Sequence, residues 1–217
     1  MWSTRLVFAG SKTGWAIPEA DLSKLPGWRQ PKTADIAEAK KLLADAGYPN
    51  GFKTSLTKNN DIITVGPVSE MLAGQMKTIG IDMSVDGQEP AVWAKKQEEG
   101  DFQVLMQNPG NMLPDRNLYS YFHSKGPLNK APVRDATIDL LVEEQSRELN
   151  VEKRKAIILD FQKHLLETYY HVPTIDLGFF VAWQPYIKHY VFNHGAQPYL
   201  VEPHSLWMEQ KGIPAGR

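Results

Sequence analysis

Residues 107 to 123, QNPGNMLPDRNLYSYFH, gather the side chains best suited to holding a small polar molecule. Gln107, Asn108, Asn111 and Asn117 are amides, Asp115 and Arg116 are an ion-pair candidate, and Tyr119, Tyr121 and Phe122 are rings. Amides fix the orientation of a polar ligand, while rings stack on it and exclude water. The same residues also fit a surface loop whose amides satisfy its own backbone and whose rings pack as core.

Other chemistries find less support. The six histidines, at 123, 164, 171, 189, 194 and 204, are scattered. Asp160 and His164 stand at i and i+4 and share a helix face, but a zinc site takes three or four ligands. There is no HExxH and no His-x-His, so the pair reads as solvated helix surface. No G-x-S-x-G elbow and no G-x-G-x-x-G is present. Gly10-Ser11-Lys12-Thr13-Gly14 resembles a phosphate loop only superficially, since it lacks the preceding spacing and a following helix. The adjacent carboxylates Glu98-Glu99 and Glu143-Glu144 diverge on their helices and read as solvated faces. Lys40-Lys41 and Lys95-Lys96 are isolated basic pairs.

Composition adds exclusions. A formal net charge of -1 provides no bulk field for nucleic acid or anionic lipid. With no cysteine there is no disulfide framework, thiolate metal site or cysteine nucleophile. The longest apolar stretch, Leu177 to Trp183, is far short of the roughly 20 residues a membrane helix needs. Met1-Trp2-Ser3-Thr4-Arg5 does not open a signal peptide, because no basic region and long apolar run follow. No metal, no cofactor and no enzymatic activity is expected.

The elements that must position the 107–123 segment follow from periodicity. Residues 1–32 are rich in Gly, Pro and Trp and read as irregular. Thr33 can cap a helix whose apolar stripe is Ile36, Ala39, Leu42, Leu43 and Ala46. Gly47 and Pro49 stop it, and Phe52 to Thr57 alternates as a strand. A second helix spans about Val65 to Ile79, Ile81 to Val85 alternates, a helix runs from Glu89 to Glu99, and Phe102 to Met106 is an apolar strand. This alternation implies an α/β sheet covered by helices. The stretch from Gln107 to Asn117 reads as irregular, beyond the carboxyl end of a strand, where open α/β sheets bind ligands. Helices follow at about Ala136 to Leu149 and Val151 to Tyr169, the second capped by Asn150. Val172 to Asp176 and Gly178 to Trp183 read as strands.

Together these segments resemble a known family. AEAKKLLADAGYPNGFKTSLT (37–57) closely resembles a unit of the dipeptide/oligopeptide- and nickel-type solute-binding proteins of ABC importers, family 5. The likeness continues through SEMLAGQMKTIGIDMSVDGQEPAVWAKKQEEGDFQVLM (69–106) and RDATIDLLVEEQSRELNVEKRKAIILDFQKHLLETYYHVPTI (134–175), and covers roughly residues 10 to 210. It implies an α/β fold with a mixed sheet flanked by helices, the C-terminal lobe of a type II periplasmic-binding-protein-like fold. Residues 1–32 would be an irregular lead-in or inter-lobe segment, 33–183 the ligand-binding lobe, and 184–217 a return toward a first, N-terminal lobe that this chain lacks.

The implied function is capture of a small polar solute, peptide-like or other, between two lobes, followed by docking on an ABC transporter permease in the periplasm or another extracytoplasmic place. Asn108 and Asn111 would be hydrogen-bonding groups, Asp115 or Arg116 a charge anchor, and Tyr119 and Trp183 apolar walls. The peptide binders carry an Asp for the peptide's amino terminus near the position of Asn111. An amide there points toward a neutral or anionic ligand. The competing expectation is an interaction module that keeps the lobe fold without ligand capture.

Overall fold

The computed structural model describes residues 15–107, 114–129, 133–172, 184–188 and 207–209, with the side chains of 114–117 outside that set. Helices are α1 (Glu19–Leu22), α2 (Thr33–Asp45), α3 (Val65–Lys77), α4 (Pro90–Glu99), α5 (Pro114–Phe122), α6 (Ala136–Arg147) and α7 (Val151–Thr168). Strands are β1 (Phe52–Asn59), β2 (Ile81–Gln88), β3 (Val104–Leu105), β4 (Ile187–Lys188) and β5 (Trp207–Met208). The expected strands at 172–176 and 178–183 lie outside the described residues except for Val172, which is exposed and irregular.

The first core is built on three parallel strands in the order β2-β1-β3. Register runs from Phe52↔Ile81 to Asn59↔Gln88 on one side of β1 and through Leu56↔Val104 on the other. Leu56 and Thr57 are adjacent on β1, so they point to opposite faces, yet they are 0% and 2% exposed. Both faces are therefore covered at the centre of β1. On the Leu56 face, Val65 and Val68 of α3 join Met83, Val104 and Met106. The chain reaches β2 through α3, then crosses back over β1 through α4 to reach β3. Right-handed crossovers in opposite directions place the two helices on opposite faces, and α4 packs against β1 accordingly.

Entry into the sheet is set by backbone chemistry. Helix α2 closes with Tyr48 N–H donating to Leu43 C=O at 2.8 Å and Gly47 N–H donating to Ala44 C=O at 3.0 Å, the paired bonds that end a helix in a left-handed residue. Gly51 (φ 74°) and Gly80 (φ 97°) immediately precede β1 and β2 and lie side by side. A Cβ on Gly51 would fall 1.8 Å from the Gly80 carbonyl oxygen. On the other side of β1, Gln103 Oε1 accepts from Ser55 N–H at 2.8 Å and so fastens the start of β3.

The second core is helical. Leu118 and Phe122 of α5 pack with Ile138 and Val142 of α6 and Ile158, Phe161 and Leu165 of α7. Asp135 caps α6, accepting from Thr137 N–H at 2.8 Å and Ile138 N–H at 3.2 Å. Asn150 caps α7, accepting from Glu152 and Lys153 N–H. His164 Nε2 on α7 stands 2.8 Å from Asp135 Oδ2, so one carboxylate both caps α6 and ties α7 to it. Burial alone would push the Asp135 carboxyl up. The His164 hydrogen bond, with those from Ile138 and Thr137 N–H, outweighs it and holds the group below the usual carboxylate range.

Several expectations change. Residues 114–122 are helical, not irregular: Pro114 opens α5, and Leu118 and Phe122 at i and i+4 give it a buried face. Lys32 occupies the N-cap of α2 and no side chain caps it, so Thr33 is its first helical residue rather than its cap. The α2 stripe forms but is not buried; Leu42 is 61% exposed. Strand pairing in 102–106 is confined to Val104 and Leu105, extended by Met106 N–H donating to Thr57 C=O at 2.9 Å.

Candidate functional site

Successive crossovers that leave a sheet toward opposite faces open a crevice at the carboxyl ends of the strands. Here that edge is formed by the ends of β1, β2 and β3. At the last residue of β1, Asn59 Oδ1 accepts from Asp61 N–H at 2.9 Å. Asn60 N–H donates to Gln88 C=O at 2.9 Å, continuing the ladder past β1. Asn60 Oδ1 accepts from Lys58 Nζ at 2.7 Å. Its amide packs against Gly87, where a Cβ would stand 2.3 Å from Asn60 Oδ1. Gln88 Nε2 donates to Asp86 Oδ1 at 2.6 Å. Ile63, in the turn leading to α3, is 88% exposed. Gln107 follows β3 and is half-buried.

A second polar group sits at the carboxyl end of α5. His123 is 3% exposed. Lys125 N–H donates to its Nδ1 at 3.0 Å, which leaves the proton on Nε2, 3.3 Å from Glu143 Oε1. Glu143 also accepts from Arg147 at 2.9 Å. The Tyr119 ring stacks on the imidazole at 4.5 Å and 24° and is itself 41% exposed. Asp139 accepts from Ser124 N–H at 2.7 Å and from Ser124 Oγ at 2.5 Å. Asn129 Nδ2 donates to the carbonyls of His123 and Val133, both at 3.0 Å, folding the following segment around the helix end.

Of the six site residues expected from sequence, Tyr119 is the one described as a side chain. Asp115 and Arg116 fall on α5 with their side chains outside the described set, and Asn108, Asn111 and Trp183 lie outside the described residues. Glu143 is not the simple solvated carboxylate expected, since it holds both His123 and Arg147. His164 bonds Asp135, whereas Asp160 lies 3.4 Å from Lys163. His171 packs edge-on to Phe122 at 4.8 Å, and burial pushes its imidazole below the usual value. Among the described residues no group of three or more His, Cys, Asp or Glu is placed to hold a metal ion. No described helix is long and apolar enough to cross a membrane.

Sequence reasoning did not single out Lys58, Asn59 and Asn60, which stand at the carboxyl edge of the sheet. The signal was the run Lys58-Asn59-Asn60-Asp61 directly after the strand, an amide-rich end of the kind singled out after β3.

Comparison with known proteins adds the following. The family described as bacterial extracellular solute-binding proteins, family 5 (middle), matches residues 4–129. Heme-binding protein A of Haemophilus influenzae is 27% identical over 165 residues, 72% of this chain and 30% of that protein. The periplasmic binding protein DppA from Helicobacter pylori, solved with the peptide STSA, superposes with a TM-score of 0.61 at 19% identity, covering 96% of this chain and 40% of that one. Haemophilus influenzae OppA, solved with RPPGFSPFR, gives a TM-score of 0.61 at 21% identity, over 88% of this chain and 38% of that one. At such identities the likeness to solved structures is one of fold, an α/β periplasmic-binding-protein architecture. This chain spans 30% to 40% of the length of these proteins.

Proposed function

The chain belongs to family 5 of the bacterial extracellular solute-binding proteins, and we propose that it captures a small polar solute, peptide-like or other, for an ABC importer at the extracytoplasmic side of a membrane. The observation that carries this reading is the topology of the β2-β1-β3 sheet, whose successive crossovers leave toward opposite faces, the arrangement in which open α/β sheets bind ligands at the carboxyl ends of their strands; Asn59, Asn60 and Gln107 stand at those ends. In this reading residues 33–183 are one lobe of a two-lobed protein. Residues 1–32 and 184–217 connect it to a first lobe, and closure of the two lobes presents the protein to a permease. Asn108 and Asn111 would hydrogen-bond the solute, Asp115 or Arg116 would anchor its charge, and Tyr119 and Trp183 would wall it. The named relatives are binding proteins, which supports a role without catalysis.

The test is a thermal melt of the chain with separate pools of short peptides, haemin and oligosaccharides. A ligand at about 100 times its dissociation constant adds roughly 2.7 kcal/mol, or roughly 5–11 °C for a chain of this size. A cooperative melt shifted by one pool supports solute capture and names the class. A cooperative melt moved by none contradicts capture by this chain.

A further inference from the structure

The imidazole at the end of α5 is matched to one protonation state. Nδ1 of His123 accepts the Lys125 N–H at 3.0 Å, so the single ring proton of the neutral form sits on Nε2, 3.3 Å from Glu143 Oε1. A second proton must go on Nδ1, and there it meets another donor. An imidazolium N–H and a backbone N–H cannot share that contact. A carboxylate stands beside it: Asp139 Oδ1 lies 3.8 Å from Nδ1, about 1 Å beyond a charge-assisted hydrogen bond. Water is not the competing partner, because His123 is 3% exposed and the Tyr119 ring stacks on it at 4.5 Å. That stack tolerates the charge, since an aromatic face attracts a cation.

The segment facing Nδ1 is one tight turn. Gly126 N–H donates to His123 C=O at 2.8 Å, which makes the exposed Lys125 the third residue of the turn. Its N–H, once released, is taken up by solvent. Asp139 is held in place by Ser124, through N–H at 2.7 Å and Oγ at 2.5 Å. The other charged groups nearby are engaged. Arg147 donates to Glu143, His164 of α7 is bonded to Asp135, and burial favours the neutral form of His171, which packs on Phe122.

We infer that His123 is a proton-operated latch on the turn after α5: neutral, its Nδ1 holds the Lys125 N–H; protonated, its Nδ1–H donates to the Asp139 carboxylate and Lys125 is released. The turn leads into Leu128 and Asn129, which bond back to the carbonyls of Ser120, Phe122 and His123. Acidification therefore loosens the wrap around the end of the helix that carries Tyr119.

The test follows the whole chain by NMR from about pH 8 to about pH 5, the range in which imidazoles change charge. No solute is added, so the outcome is independent of solute capture. Ring nitrogen shifts report the charge of His123, and hydrogen-exchange protection, corrected for the intrinsic effect of pH, reports the Lys125 amide. His123→Gln is the control, with its fold checked by a melt: its amide can accept from Lys125 and donate to Glu143 but takes up no proton. The expected result is the Nε2–H tautomer at high pH. As the ring charges, Lys125 protection falls roughly fivefold, the worth of one hydrogen bond, and the Ser124 amide resonance moves in step because its acceptor gains a further donor. In His123→Gln the protection of Lys125 stays constant. A ring that remains neutral down to pH 5, protection that holds while the ring charges, or an equal fall in His123→Gln overturns the latch. A fall at Lys125 with an unmoved Ser124 resonance overturns the transfer to Asp139. The wild-type titration decides even where the variant does not fold.

Discussion

Asp135 carries two structural duties that substitution can separate. Its Oδ1 accepts the Thr137 and Ile138 N–H groups that α6 leaves unpaired, and its Oδ2 receives His164 from α7. The pair is largely withdrawn from water, with side chains 13% and 27% exposed, so the contact is not discounted to the level of a surface ion pair. Losing a cap costs about 1 kcal/mol, and losing a part-buried hydrogen bond costs about 1 kcal/mol more. Asp135→Ala therefore loses about 2 kcal/mol, which lowers the melting midpoint by roughly 4–8 °C. Asp135→Asn keeps a good capping oxygen but replaces the acceptor that faces His164 by an NH2 group, so it loses about half of that. The sign with pH follows from the depressed carboxyl: its contribution is fully present above the unfolded value of about 3.9 and fades as pH falls through the lower folded value. Melts of wild type, Asp135→Ala and Asp135→Asn at pH 7 and at pH 2.5, with His164→Ala completing a double-mutant cycle, check this. Equal losses for Ala and Asn at pH 7 refute the capping argument. A wild-type advantage over Asn that persists undiminished at pH 2.5 refutes the electrostatic one.

Two further outcomes follow from packing and backbone geometry. Gly51→Ala forces a left-handed alanine, costing about 1–2 kcal/mol, and drives its Cβ onto the Gly80 carbonyl oxygen; a Cβ on Gly80 meets Gly51 only at 3.4 Å. Gly51→Ala should thus lower the melt clearly more than Gly80→Ala, and the reverse order contradicts the close approach of β1 and β2. Leu118→Ala empties a fully buried position and should cost about 2–5 kcal/mol, whereas Leu42→Ala on the exposed α2 stripe should stay within about 0.5 kcal/mol. A loss above about 1.5 kcal/mol at Leu42 in urea titrations would mean that the stripe is covered in solution.

What the sequence made legible depends on what each signal measures. Helices α2, α3, α4, α6 and α7 follow 3.6-residue stripes with chemical stops: Gly47, Gly80 and Gly100 carry positive φ, and Asn150 caps α7 as its type and place suggest. Periodicity says that a helix has an apolar face, not what covers it, and so the α2 stripe reads as core although Leu42 stands in solvent. Helix α5 escaped because its buried stripe among the described side chains is only Leu118 and Phe122 and its start is masked by Pro109, Gly110 and Pro114. The end of β1 escaped for a related reason. Alternation of apolar residues stops at Leu56, but the backbone ladder runs on through Lys58 and Asn59 opposite Gly87 and Gln88. Hydrogen bonding between main chains leaves no trace in side-chain hydropathy, so the polar tip of a strand reads as loop.

That blind spot bears on how this fold builds a site. A strand's carboxyl end must leave its partner strand, and the residues that leave still carry N–H and C=O groups that need partners. Asn59 and Asn60 meet that demand locally, one by an Asx bond to the Asp61 N–H and one by extending the ladder to Gln88. Each bond uses an acceptor or a main-chain donor and leaves the side-chain NH2 group over. The amide-rich tip of the edge is thus a by-product of finishing the sheet with asparagine. Solute capture by lobe closure depends on a difference in affinity between open and closed forms. An edge already rigid in one lobe contributes binding in both forms. In the proposed reading, the closing force then comes from groups that meet the solute only when a second lobe arrives.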